Sequence, residues 1–118
     1  MFEEALQELV ETVGAELAIF CDYEGESIAL AAPRRDPFDV RVLAAHHAPL
    51  VDDLQRAARR SGQSERLSLT WSAEQGTTLV EALPGGYYLL ACIRADAVWA
   101  TARPPLRRLA DRFAAELD

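Results

Sequence analysis

The sequence predicts an α+β fold: a three-layer α/β/α sandwich around a five-stranded, mainly antiparallel sheet, in the order α-β-β-α-β-β-β-α. Three observations predict it. Short apolar runs of strand length recur, joined by glycine-bearing turns, which reads as hairpins and hence antiparallel pairing. One long apolar-striped segment, residues 37 to 61, separates two sets of those runs. Amphipathic helical patterns stand at both ends, so there are helices enough to cover both faces of a sheet.

Phe2, Ala5, Leu6, Leu9, Val10 and Val13 make the first helical stripe, and Gly14 is placed to end it. Ala15 to Asp22 is apolar on both faces, as a strand inside a sheet would be. Tyr23-Glu24-Gly25-Glu26 turns the chain, and Ser27 to Ala32 returns as a second strand. Asp36 then caps the long helix, with Pro37 at its first position and Asp39 near the positive end of its dipole. Val40, Leu43, Ala44, His47, Leu50, Val51, Leu54 and Ala58 recur on one face, while Phe38, Val42 and Ala45 fall nearly opposite. One face has the chain's own sheet to cover it; the other needs a partner. Pro49 lies inside this helix and crowds the carbonyl of Ala45, which predicts a kink.

Leu67, Leu69 and Trp71 alternate with Ser68, Thr70 and Ser72, the pattern of a half-buried edge strand. Thr77 to Leu83 and Tyr87 to Arg94 follow as strands, the latter apolar enough to be central. Asp96 is placed to cap a short turn through Trp99, and Pro104-Pro105 open a last helix striped by Leu106, Leu109, Ala110, Phe113 and Leu117.

At 118 residues the chain suits a single domain over 1–118 that folds without disulfides or metal. The net charge is −7 and all twelve basic residues are arginine. The missing lysine excludes a P-loop or Schiff-base site, and the negative charge argues against nucleic acid as a partner. The arginines at 56, 59, 60, 66, 103, 107, 108 and 112 have acidic neighbours and read as solvated faces. No apolar run approaches a membrane span, and the acidic start lacks a signal peptide's basic leader, so a cytoplasmic protein with reduced Cys21 and Cys92 is expected.

The element order and lengths, the hairpin Ala18-Ile19-Phe20-Cys21-Asp22-Tyr23-Glu24-Gly25, the long helix after it and the closing Tyr87-Tyr88-Leu89-Leu90-Ala91-Cys92 resemble the Roadblock family, which includes dynein light chain Roadblock and the bacterial Mgl-type polarity proteins. The resemblance covers nearly the whole chain, through architecture and weak motifs. It implies a non-enzymatic module without cofactors that forms a homodimer and binds a Ras-like small GTPase or another Roadblock-type protein. By position it implies a dimer surface of Val40, Leu43, His47, Leu50, Val51 and Leu54, with an edge of Leu67, Leu69 and Trp71. Pro49 and the doubled Pro104-Pro105 depart from the family's pattern and point to a specialised partner. A scaffold without direct GTPase contact and a small-ligand sensor on a similar fold stand as alternatives.

The residues offer little chemistry. His46 and His47 point about 100° apart on a helix and cannot chelate one metal from one face. A core or interface role for His47, a pH-sensitive one included, is the reading left. Cys21 and Cys92 lie on the two central runs, where they pack as small hydrophobes or, if those strands are neighbours, approach as a redox pair. Asp22, Glu24, Glu26 and Glu74 sit at turns, and no nucleophile elbow exists. Arg34-Arg35, Phe38, Val42 and Trp99 are the candidate partner-binding residues; Trp71 either packs under the long helix or joins an interface.

Overall fold

The computed structural model describes residues 1–117. The apolar stripe of Phe2–Val13 makes α1, and Gly14, with φ 68°, ends it. Leu17–Cys21 (β1) and Ser27–Ala31 (β2) form the first hairpin. Pro37–Ala45 (α2) and Ala48–Arg60 (α3) follow. Leu67–Ala73 (β3), Gly76–Ala82 (β4) and Tyr88–Arg94 (β5) complete the sheet, and Arg103–Leu117 (α4) closes the chain. The sheet order is β2-β1-β5-β4-β3, with every neighbouring pair antiparallel. The both-face apolar runs are thus interior and the alternating one is an edge.

Strand alternation sorts the side chains into two cores. Ala18, Phe20, Leu79, Leu89, Ala91 and Ile93 pack with Leu6, Leu9 and Val10 of α1 and Leu106, Leu109, Ala110 and Phe113 of α4. Leu17, Ile19, Cys21, Val80, Ala82, Tyr88 and Leu90 pack on the other face with Val40 and Ala44 of α2 and Val51 of α3.

The predicted single helix is two helices, and the kink expected at Pro49 is a break at His46-His47. The cause is physical. In one continuous helix Pro49 would leave the carbonyl of Ala45 without its amide and collide with it. Breaking the helix earlier puts Pro49 in the first turn of α3, where a missing N–H costs nothing. The Ala44 carbonyl, freed by the break, accepts from the His47 amide at 3.0 Å and from the buried Tyr88 hydroxyl at 2.7 Å. The hairpin turn presses against this junction: a Cβ on Gly25 (φ +85°) would lie 3.1 Å from the Ala45 backbone.

At the far end of α3, Gln63 N–H bonds the Ala58 carbonyl at 2.8 Å and Gly62 N–H bonds that of Arg59 at 3.0 Å, a Schellman stop. Asp36 caps α2 by accepting from the Phe38 amide at 2.8 Å. Asp96 does not cap the turn that follows it: the 3₁₀ turn Trp99–Thr101 begins after Val98 with no side-chain cap, and Asp96 instead meets Arg94 at 3.4 Å.

Candidate functional site

The outer surface of α2, α3 and β3 is the candidate site. Phe38 and Val42, four residues apart and so on one face of α2, are 67% and 41% exposed, and Leu50 near the start of α3 is 41% exposed. Leu43, His47 and Leu54 are half-buried. Val40 and Val51 of the implied dimer surface are instead wholly taken up by the protein's own sheet, because their helix face points inward. They have no surface to offer a second molecule.

The edge strand β3 continues this surface. Leu67, Leu69 and Trp71 face the α3 side and are half-buried. Leu67 and Leu69, with Leu54 and Ala57 of α3 and Ser61 at its C-cap, line a recess of about 290 Å³. Trp71 stacks on His47, ring centroids 4.9 Å apart and planes 9° from parallel. His47 Nδ1 lies 2.9 Å from the Leu43 carbonyl, so this nitrogen carries the proton that it donates. The stack ties the α2–α3 junction to the sheet edge: Trp71 packs beside the helices, the first of its two expected roles, and is half-buried.

The other candidates lie apart. Arg34 and Arg35 line a recess of about 610 Å³ with Gln7, Glu11, Glu16 and Arg94 at one end of the sheet, and Arg35 is paired with Glu16 at 2.9 Å. Trp99 is 38% exposed in its 3₁₀ turn. Cys21 and Cys92 do lie on neighbouring strands, but Cys21 opposes Tyr88 and Cys92 opposes Leu17. Four residues of strand, about 13 Å, separate them. Burial pushes the Cys21 thiol up to about 11 and raises Cys92 as well, the reverse of what a reactive pair needs. Asp22 supports its turn, accepting from the amides of Glu24 and Glu26 at 2.9 and 3.0 Å. Among the described residues no three His, Cys, Asp or Glu side chains could hold a metal ion, and no helix is long and apolar enough to cross a membrane.

One feature of the opposite sheet face escaped the sequence reading. Glu81 of β4 is fully buried, and its carboxylate accepts from Arg66 at 2.7 Å, from Ser68 Oγ at 2.8 Å and from Arg103. Arg66 and Arg103 are therefore mostly turned inward, where their acidic neighbours in sequence suggested solvated faces. The available signal was a lone carboxylate inside the apolar run Leu79 to Leu83.

Many solved structures share this architecture. MglB of Myxococcus xanthus matches with a TM-score of 0.84 at 15% identity, over 98% of this chain and 94% of that one. A Roadblock/LC7 domain from Streptomyces avermitilis matches at 0.82 and 18% identity, over 98% and 96% of the two chains. An MglB with a tetrameric arrangement matches at 0.80 and 22% identity, over 95% and 84%. The chain has a Roadblock-like fold. No protein-family model matches the sequence, and no curated protein matches it significantly. Profilin II of Acanthamoeba castellanii also aligns over the full length of both chains, with a TM-score of 0.71 at 16% identity. At these identities the likeness speaks for the fold, and the surface of the Roadblock-like fold must argue its own function.

Proposed function

We propose that the chain is a non-enzymatic, dimeric Roadblock-type regulator or adaptor whose partner is a bacterial Ras-like small GTPase of the kind used in polarity or motility signalling. The observation that carries this reading is the outward apolar face of α2 and α3. Phe38, Val42 and Leu50 stand in water in a single chain, and β3 beside them is an edge strand. A second copy is the occupant proposed for Leu50, Leu54, Leu43, His47 and the Leu67–Leu69–Trp71 edge. The tetrameric arrangement of one similar MglB supports a self-assembly reading for this chain. Phe38 and Val42, with Arg34, Arg35 and Trp99 elsewhere on the surface, are the residues proposed for the GTPase. The mechanism is complementarity: the dimer holds the GTPase's mobile switch loops in one arrangement, and the residues that act on nucleotide are the GTPase's own.

The helix break favours a second reading, a scaffold that binds another Roadblock-type protein without touching the GTPase. Two helices joined at His46-His47 present a different outer contour from one continuous rod. Titration of the chain with a purified Ras-like GTPase in its GDP and GTP-analogue states, followed by calorimetry, separates the two. Direct binding that Phe38→Asp abolishes supports the first reading. Binding only when a second Roadblock-type protein is added replaces it with the scaffold.

A further inference from the structure

We propose that Glu81 is the positioning residue of the β3 edge, holding the partner-binding strand in place and in register from the opposite face of the sheet. The inference rests on the reading of β3 as an interface strand and adds the element that sets its geometry.

β3 needs such a device. On one face it contributes Leu67, Leu69 and Trp71, all only half-buried in the single chain. On the other it presents Ser68, Thr70 and Ser72, which give α4 no apolar surface to grip. An edge strand with so little burial on either side is weakly fixed by the hydrophobic effect alone. A polar cluster occupies the gap. Besides the three contacts already described, Arg107 Nε approaches Glu81 to 4.0 Å. Arg103, near the start of α4, also donates to the Leu69 carbonyl at 2.7 Å, to Thr70 Oγ1 and to the Val80 carbonyl at 3.3 Å. Arg66, just before β3, also reaches Asp111 of α4 at 3.1 Å. One carboxylate of β4 thus gathers groups from β3, α4 and the segment leading into β3.

The planar fork of Arg103 makes this geometry demanding. Its partners span three rungs of the β3–β4 pair, Ser68↔Glu81, Leu69↔Val80 and Thr70↔Leu79. Sliding β3 by one residue would break those bonds and turn Leu67, Leu69 and Trp71 toward α4, removing the apolar edge from the partner surface. A buried ion cluster adds little net stability over an apolar one of the same shape, yet losing one member leaves charges without partners. Its use here is register.

Amide hydrogen exchange followed by NMR tests this, with the amides of β1 and β5 as internal controls and Leu50→Asp as the background, so that assembly does not mask the result. The two-residue turn between Ala73 and Gly76 puts the Leu67, Leu69 and Trp71 amides in bonds to β4. Glu81→Gln should speed their exchange by roughly tenfold or more while β1 and β5 stay within about twofold of the parent. In the otherwise wild-type chain Glu81→Gln should also weaken self-association by at least roughly tenfold, although the Glu81 side chain is buried on the opposite face of the sheet. Equal acceleration in all strands would mean general destabilisation and would overturn the proposal, as would unchanged β3 exchange. If Glu81→Gln does not fold, Arg66→Gln, which leaves Arg103 on the carboxylate, decides by the same β3 readout. A wild-type chain that is monomeric would remove the interface reading but leave the exchange result to judge Glu81 on its own.

Discussion

The two faces of the sheet are finished to different degrees. Against α1 and α4, Leu6, Phe20, Leu79, Leu89, Leu106 and Phe113 are each at most 1% exposed. The Phe2 and Phe113 rings meet edge-on with centroids 4.7 Å apart, and Phe20 lies 4.8 Å from Phe113. Against α2 and α3, the inner residues Val40, Ala44 and Val51 are equally buried, but the side chains around them are not. Leu43, Leu54, Leu67, Leu69 and Trp71 remain half-open, and Phe38, Val42 and Leu50 face outward. The difference separates two uses of apolar surface. One face is closed within the single chain, and the other keeps the exposed apolar surface that the proposed function assigns to association.

The comparison can be broken at either face. The largest effect belongs to the closed one. Phe113→Ala should cost about 3–5 kcal/mol in urea unfolding, since it opens a cavity at the centre of the aromatic cluster. A loss under about 1 kcal/mol would show that this face is not the stabilising one. At the open face, Leu50→Asp should leave the stability of the isolated chain within about 0.5 kcal/mol and weaken self-association at least roughly tenfold, because a second copy would bury an unpaired carboxylate. Unfolding curves and sedimentation velocity on the same sample read both quantities, and an unchanged dissociation constant would place the interface elsewhere.

Smaller effects sharpen the picture of the junction beneath the open face. Tyr88→Phe removes the hydroxyl from the Ala44 carbonyl, which keeps the His47 amide, so a loss of about 1 kcal/mol is expected. Faster exchange at residues 44 to 48, measured by NMR, should accompany it. A last effect is alkaline, and it is small only close to the unperturbed thiol value. The Cys21 thiol keeps its proton in the fold up to about 11, against 9.0 unperturbed. Above pH 9.0 the unfolded chain therefore holds fewer protons than the folded one. Stability is intact below that pH and falls as pH rises toward about 11, by under about 1 kcal/mol over the first half-unit. Cys21→Ser should flatten this slope in pH-dependent unfolding.

Patterns that act over neighbouring residues were legible in the sequence. The alternation Leu67-Ser68-Leu69-Thr70-Trp71 announces an edge strand, and the both-face apolar runs around Phe20 and Leu90 announce interior ones, because a period of two maps directly onto burial. The exposed Phe38 and Val42 were readable as the face opposite Val40 and Ala44. What was not legible depends on partners distant in sequence. The break before Pro49 is completed by a tyrosine hydroxyl from β5 and by a glycine turn from the first hairpin. The separation of Cys21 from Cys92 is a matter of register, which neither strand carries alone. Arg66 and Arg103 looked solvated because their acidic sequence neighbours were visible and Glu81, 15 and 22 residues away, was not seen as their partner.

Sedimentation equilibrium of the wild-type chain at high micromolar concentration tests the central claim most directly. A mass of twice the chain's 13.0 kDa, returning to 13.0 kDa in Leu50→Asp, is the predicted result. A 13.0 kDa species for the wild type at the same concentration would leave Leu50 and the Leu67–Leu69–Trp71 edge uncovered by any second copy, and would contradict it.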